Sequence, residues 1–226
     1  MRSELVKLNR DFGFCVTLRA IKEYHHYWSH YCSSYRSCPD THRTWENLLK
    51  IFRSYLEWME YPTKGHYLDL DLLDVGTCRC PSVYGDFTED EQIVAFSLRA
   101  FLNSPVQISS TLENMDEFEL SLYGNEEILA INQDTAFSHS VPVFSFEGPG
   151  NIIYVFEKML EDGTFAYAYF NLGGLVRTVT SRAAESAQIR DLWAKEDLGQ
   201  QDYLEIKLFP HTVRILKSNR KLTHQM

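Results

Sequence analysis

Apolar residues change their spacing once along this chain, near residue 137. Before that point, short apolar runs alternate with longer stretches of helical period. FGFCVTL (12–18) predicts a strand, entered from what reads as the tail of an amphipathic helix carrying Leu5, Val6 and Leu8. WENLLKIFRSYLEWM (45–59) places Trp45, Leu48, Leu49, Phe52, Leu56 and Met59 on one helical face. HYLDLDLLDVG (66–76) alternates Leu with Asp and stops at a glycine. TEDEQIVAFSLRAFL (88–102) opens with Thr88 and Glu91 at capping-box spacing and continues with Val94, Leu98, Phe101 and Leu102 on one face. PVQISS (105–110) predicts a second short strand, and NEEILAIN (125–132) a helix or an extended run. Strand, helix, strand, helix is the order of parallel β/α units.

After Phe137 the period falls to two. The run 151–174 predicts a hairpin around Asp162-Gly163, with Phe165, Tyr167 and Tyr169 alternating with Ala166, Ala168 and Phe170. Leu204, Ile206 and Leu208, then Val213 and Ile215, continue the alternation. Such runs punctuated by Gly, Pro and Asp predict an antiparallel sheet or sandwich. The expected division is therefore 1–137 and 138–226.

Charge removes one class of partner. The net charge of −9 argues against nucleic acid, because a polyphosphate needs clustered Lys and Arg, and the basic run KSNRKLTH (217–224) is read as a solvated tail. No apolar run approaches the length of a membrane span. Glu4, Lys7 and Arg10 stand where the apolar core of a signal peptide would lie. Five cysteines leave at least one unpaired, and Cys78-x-Cys80 is too close for the usual zinc spacing. His25, His26 and His30 have no Cys or carboxylate at a metal-site spacing, so HHYWSH is read as a polar and aromatic loop and no metal is expected.

YRSCPDTHRTW (35–45), GHYLDLDLLDVG (65–76) and EEILAINQD (126–134), followed in order by DGTFAYAYFNLG, IRDLWAKEDLG and FPHTVRILK, resemble blocks of the α-galactosidases and α-N-acetylgalactosaminidases of glycoside hydrolase family 27. The resemblance runs from about Leu8 to Lys217. It implies a (β/α)8 barrel followed by an antiparallel β-sandwich domain. The chain would supply barrel strands five to eight, near Cys15, Arg36, Asp69 and Val106, without the N-terminal half of the barrel.

The resemblance also implies chemistry. A retaining glycosidase uses two carboxyl groups about 5–5.5 Å apart, one as nucleophile and one as acid/base. Asp40 matches the acid/base; Arg36, Asp71 and Asp69 match sugar-binding positions at strand ends. The family's nucleophile sits in a Lys-x-Asp-x-Cys context, and no such segment occurs in this sequence. Hydrolysis of terminal α-galactosyl or α-N-acetylgalactosaminyl groups from glycans or glycolipids is the implied reaction, without a cofactor, and this chain alone is expected to be inactive. The alternative is a non-catalytic carbohydrate-binding or interaction protein of the same descent. Val16 and Arg19 lie where the family selects the sugar 2-substituent, and Tyr67, Leu68, Leu70 and Leu72 replace Trp, Asn, Pro and Met of its motif. The resemblance further implies a Cys15–Cys32 disulfide and hence a lysosomal or secreted setting. An open strand edge makes homodimerisation the expected association.

Overall fold

The computed structural model describes residues 4–5, 7–17, 21–73, 75–76 and 86–226. Arg19, Asp74, Cys78 and Cys80 lie outside the described residues.

Three short strands, β1 (Cys15–Val16), β2 (Ser34–Arg36) and β3 (Tyr67–Asp69), form a parallel sheet in that order. An isolated parallel bridge, Leu73 to Ile108, extends the array. Helices α1 (His25–Tyr31), α2 (Trp45–Trp58) and α3 (Glu89–Phe101) connect and cover it, and α4 (Glu117–Tyr123) and α5 (Glu126–Asn132) follow. The strands are shorter than their apolar runs suggest: of the described residues 12–17, Cys15 and Val16 pair, and 105–110 contributes a single bridge.

Two helices depart from the sequence reading. HHYWSH is helical rather than a loop; Ser29 Oγ donates to the carbonyl of His25 at 3.0 Å and Trp28 Nε1 to that of Ile21 at 3.0 Å, and Ile21, Tyr24, Trp28 and Tyr31 recur at helical spacing around one hollow. α4 was not anticipated, although Asp116 and Glu119 form a capping box legible as D-x-x-E. The Thr88–Glu91 box is present as predicted.

The second half is antiparallel. β4 (Val141–Gly148), β5 (Asn151–Met159), β6 (Phe165–Asn171), β7 (Arg177–Asp191), β8 (Glu196–Leu208), β9 (Thr212–Ser218) and β10 (Leu222–Gln225) form one sheet, ordered β10-β7-β9-β6-β5-β4 with β8 on β7. The predicted hairpin is β5–β6; Gly163 takes φ +78° in its turn, and Asp162 Oδ1 accepts from the Thr164 amide at 2.9 Å.

Alternation splits the strands between two cores. Ile153, Val155, Tyr167 and Tyr169 pack with Val179, Ile189, Ile206 and Leu216 inside the folded sheet. Tyr154, Phe156, Ala168 and Phe170 face the helices and join the core built by Ile51, Phe52, Tyr55, Phe96 and Phe101. Alanines at 166 and 168, both fully buried, keep this face of β6 low where the helices lie on it. Opposite faces of one strand thus serve two cores.

A polar group is closed into the inner core. His224 on β10 is hydrogen-bonded to Ser181 at 2.8 Å beside Tyr169, while Tyr167 donates to Glu157 at 3.0 Å. Burial pulls the His224 imidazole down to about 4, with the charge of Glu157 opposing. The unfolded chain therefore takes up this proton first. Stability is complete above pH 6.5 and is lost as the pH falls towards 4, by about 2 kcal/mol after allowance for partial solvent access. Urea titrations should show a shallower decline between pH 6.5 and 4 for His224→Gln than for wild type; parallel declines would refute this assignment.

Candidate functional site

β2 and β3 run parallel with Arg36 opposite Asp69, so both chains leave the sheet at the same end. From there one turn carries Asp40 and the other Asp71. Arg36 joins them: Nη1 donates to Asp71 Oδ1 at 2.8 Å, and Nη2 donates to Asp40 Oδ1. Burial works to lower the Arg36 pKa, but the hydrogen bond to Asp40 and the charge of Asp71 outweigh it and raise the value. Side-chain exposure separates the two acids. Asp40 is 80% exposed and Asp71 11%.

Asp71 is held on every side. Its Oδ2 accepts the Thr41 amide at 2.6 Å, and its own amide donates to Asp69 Oδ1 at 2.8 Å. It takes φ +68°, a backbone region that costs a non-glycine residue roughly 1–3 kcal/mol and is kept only where the surroundings enforce it. Asp69, buried, also accepts from Cys15 Sγ at 3.3 Å.

Beneath the two turns lies Arg99 of α3, 1% exposed. Nε donates to the Asp71 carbonyl at 3.1 Å, Nη1 to Ala95, and Nη2 to Leu70, Leu72 and Thr41 Oγ1 at 3.0–3.1 Å. Burial lowers its pKa, while neighbouring acidic groups oppose. Asn47 grips the other turn, donating to the Asp40 carbonyl at 3.0 Å and accepting from the His42 amide at 2.9 Å. Trp45, which starts α2, stacks on His211 of the β8–β9 turn with ring centres 3.9 Å apart; His211 Nδ1 lies 2.7 Å from Glu91 Oε1.

Sequence reasoning named Arg36, Asp40, Asp69 and Asp71, and the structure brings all four together. It did not name Arg99 or Asn47. The signal for Arg99 was a charge inside the apolar run FSLRAFL, where a buried guanidinium needs a full set of acceptors. Cys38, just before Pro39-Asp40, is buried, and burial pushes its thiol up to about 12, so it stays protonated and serves packing. Among the described residues, no three His, Cys, Asp or Glu side chains gather around a metal-sized space.

The disulfide expectation is corrected. Cys15 and Cys32 carry thiols. β1 explains this: Cys15 turns to Asp69, while its neighbours Phe14 and Val16 line a hollow on the α1 side together with Cys32. The pointer to an oxidising compartment goes with it, and the lysosomal setting is left unsupported.

An open cleft of about 970 Å3 runs from Thr17 past Arg36 and Asp40 to Lys50 and Arg53 along α2. Most of its lining residues are polar or charged, with Pro39 and Leu49 among them, and Asp40 stands in it.

Residues 151–218 match the alpha galactosidase C-terminal beta sandwich domain. The chain is 29% identical over 168 residues to alpha-galactosidase 2 of Arabidopsis thaliana, an alignment covering 71% of this chain and 40% of that protein. It superposes on a GH27 β-L-arabinopyranosidase from Geobacillus stearothermophilus, in complex with arabinose, at a TM-score of 0.84 and 25% identity, over 97% of this chain and 53% of the other. Alpha-galactosidase I of Mortierella vinacea has the same fold at a TM-score of 0.87 and 20% identity, over 98% and 62%. The chain thus spans about half the length of the relatives it matches.

Proposed function

We propose, from the premise that this chain belongs to the α-galactosidase family, glycoside hydrolase family 27, that its Arg36–Asp40–Asp71 group is the acid/base and sugar-holding part of a retaining glycosidase site. The observation that carries this reading is the pair of ion contacts from one guanidinium to both carboxylates at the end of two parallel strands. In it, β1 to β3 and the Leu73–Ile108 bridge are one arc of a (β/α)8 barrel, and the sandwich begins near residue 138. Catalytic groups of such barrels stand where strands end, which is where these carboxylates are.

The roles follow from exposure and partners. Asp40 stands in the open cleft within reach of a leaving-group oxygen. Asp71, fixed by Thr41, Arg36 and the backbone below it, presents a carboxylate whose position does not depend on ligand, as a sugar hydroxyl acceptor requires. Arg36 keeps the two acids in register and donates to hydroxyls itself. The substrate is a terminal α-galactosyl or α-N-acetylgalactosaminyl group. Covalent glycosyl transfer needs a second carboxylate about 5–5.5 Å from the acid. With no Lys-x-Asp-x-Cys segment to supply one, this chain binds the sugar without turning it over by itself.

Saturation-transfer NMR with methyl α-galactoside and a nitrophenyl α-galactoside assay test this together. Wild type should show transfer to the sugar and no hydrolysis above buffer. Asp71→Ala should weaken binding about tenfold or more through loss of a charge-assisted hydrogen bond, whereas Asp40→Asn should change it little. Wild-type binding equal to that of Asp71→Ala would sink the assignment.

A further inference from the structure

Strand β5 sends alternate side chains to opposite faces, and one of those faces lies against the helices. Tyr154, Phe156 and Leu160 stand in that row and are buried in the core that sheet and helices share. Lys158 stands in the same row and is 1% exposed. Its cross-strand neighbour on β6 is Ala166, itself fully buried. A lysine so placed must find its partners inside the protein.

Two partners are there, both across the seam between sheet and helices. Nζ donates to Asn103 Oδ1, and to the Ile131 carbonyl at 2.6 Å. The Asn103 side chain is oriented for this, because its Nδ2 donates to the Ser138 carbonyl at 2.9 Å and leaves the oxygen to the lysine. Ile131 lies in the last turn of α5, where carbonyls have no partner within the helix. Lys158 thus ties β5 to the segment that follows α3 and to the end of α5.

This pocket of partners fits a neutral amine. An amine brings two N–H donors to two acceptors, whereas an ammonium brings three and a buried charge. Among the described residues no carboxylate pairs with Nζ. Asp134 acts on it through charge alone, its oxygens accepting the Ala136 and Glu161 amides. Glu127, Glu161, Asp162 and Lys217 border the hollow that Ile131 and Leu160 line; Glu127 pairs with Arg190 and Asp162 with Lys217. Glu157, on the other face of β5, is held by Tyr167 and Lys221, and Arg99 of α3 is spent on the carbonyls under Asp71. Burial pulls the Lys158 pKa down to about 8, with the charge of Asp134 opposing.

We propose that Lys158 is a proton-operated latch across the seam: the neutral amine fastens β5 to Asn103 and α5, and uptake of a proton loosens that fastening. The sense of the switch follows from linkage. Between pH 8 and 10.5 the unfolded chain holds this proton and the folded chain does not. The latch therefore adds stability as the pH rises through that window, and the gain is absent below it.

Titration of the full chain tests this in three ways. The Lys158 Cε resonance in 13C NMR should titrate near pH 8. In urea unfolding, the folded-to-unfolded ratio of wild type relative to Lys158→Met should rise about tenfold from pH 7.5 to 9.5; the buried tyrosines are common to both proteins and cancel. The Gln133 amide donates to the Leu129 carbonyl at 2.9 Å, in the turn that Lys158 holds. Its protection against hydrogen exchange should rise about severalfold over the same interval in wild type and stay level in Lys158→Met. Should that variant fail to fold, the resonance and the wild-type protection decide alone. A Lys158 resonance that titrates at or above pH 10 overturns the proposal, and so does a ratio that stays level. Titration near pH 8 with Gln133 protection unmoved overturns it too, since the amine would then be neutral without fastening anything.

Discussion

Replacing Arg99 by methionine will destabilise the protein by about 3–5 kcal/mol in urea unfolding at neutral pH. The side chain is of similar length, so little volume changes. What is lost are donors to the carbonyls of Leu70, Asp71, Leu72 and Ala95 and to Thr41 Oγ1. Backbone carbonyls buried without a donor bear the full cost of leaving water. Arg99→Lys should recover only a minority of the loss, because one ammonium cannot span acceptors that a planar fork reaches at separate corners. Arg99→Met also removes the support under Thr41 and Asp71, so on the proposed assignment of Asp71 the saturation-transfer signal should fall even at temperatures where the chain remains folded. A loss below about 1 kcal/mol would mean that these acceptors find water instead.

The second large effect concerns Phe156. Its ring, fully buried, lies among Phe52 and Tyr55 of α2 and Tyr154 and Phe170 of the sheet, with ring centres 5.8–6.1 Å apart. Phe156→Ala should cost about 3–5 kcal/mol, from lost transfer energy plus the cavity left where neighbours on two elements cannot both move in. Because this ring belongs to a core shared by helices and sheet, unfolding followed by tryptophan fluorescence and by far-ultraviolet circular dichroism should shift together. Two separated transitions in the variant would show that helices and sheet hold independently.

Much of this architecture is written in residue spacing. The change from helical period to period two announces parallel strands with helices before it and antiparallel strands after it. Thr88 with Glu91, and Asp162 with Gly163, mark one helix start and one turn. β7 was harder to read. Its fifteen residues, RTVTSRAAESAQIRD, place apolar side chains at 179, 187 and 189 around a stretch of small and polar residues where its register to β8 shifts. Burial keeps to odd positions from Val179 to Asp191, but Ser181 and Asp191 among them are polar, so the alternation does not show as an apolar pattern. The helix at residues 25–31 was missed although Tyr24, Trp28 and Tyr31 recur at helical spacing, because that stripe is aromatic, broken by histidines, and buries no residue of the helix.

The site divides in the same manner. Arg36, Asp40, Asp69 and Asp71 were readable through a resemblance that quotes them in motifs. Arg99 and Asn47 act mostly on backbone atoms, which no motif records; the one trace is the charge of Arg99 inside the apolar run FSLRAFL. The disulfide was expected from a motif alone, and a motif does not show that Cys15 Sγ is engaged by the carboxylate of Asp69 instead.

The stack of Trp45 on His211 has a mechanical consequence. His211 sits at φ +56° in a tight turn of the distant sheet, yet its ring props the residue that begins α2, five positions beyond Asp40. The prop works only at one height. Lengthening the 209–211 turn by a single residue would withdraw the imidazole, release the indole, and let the first turn of α2, with Glu46 and Asn47 of the cleft, swing away from Asp40.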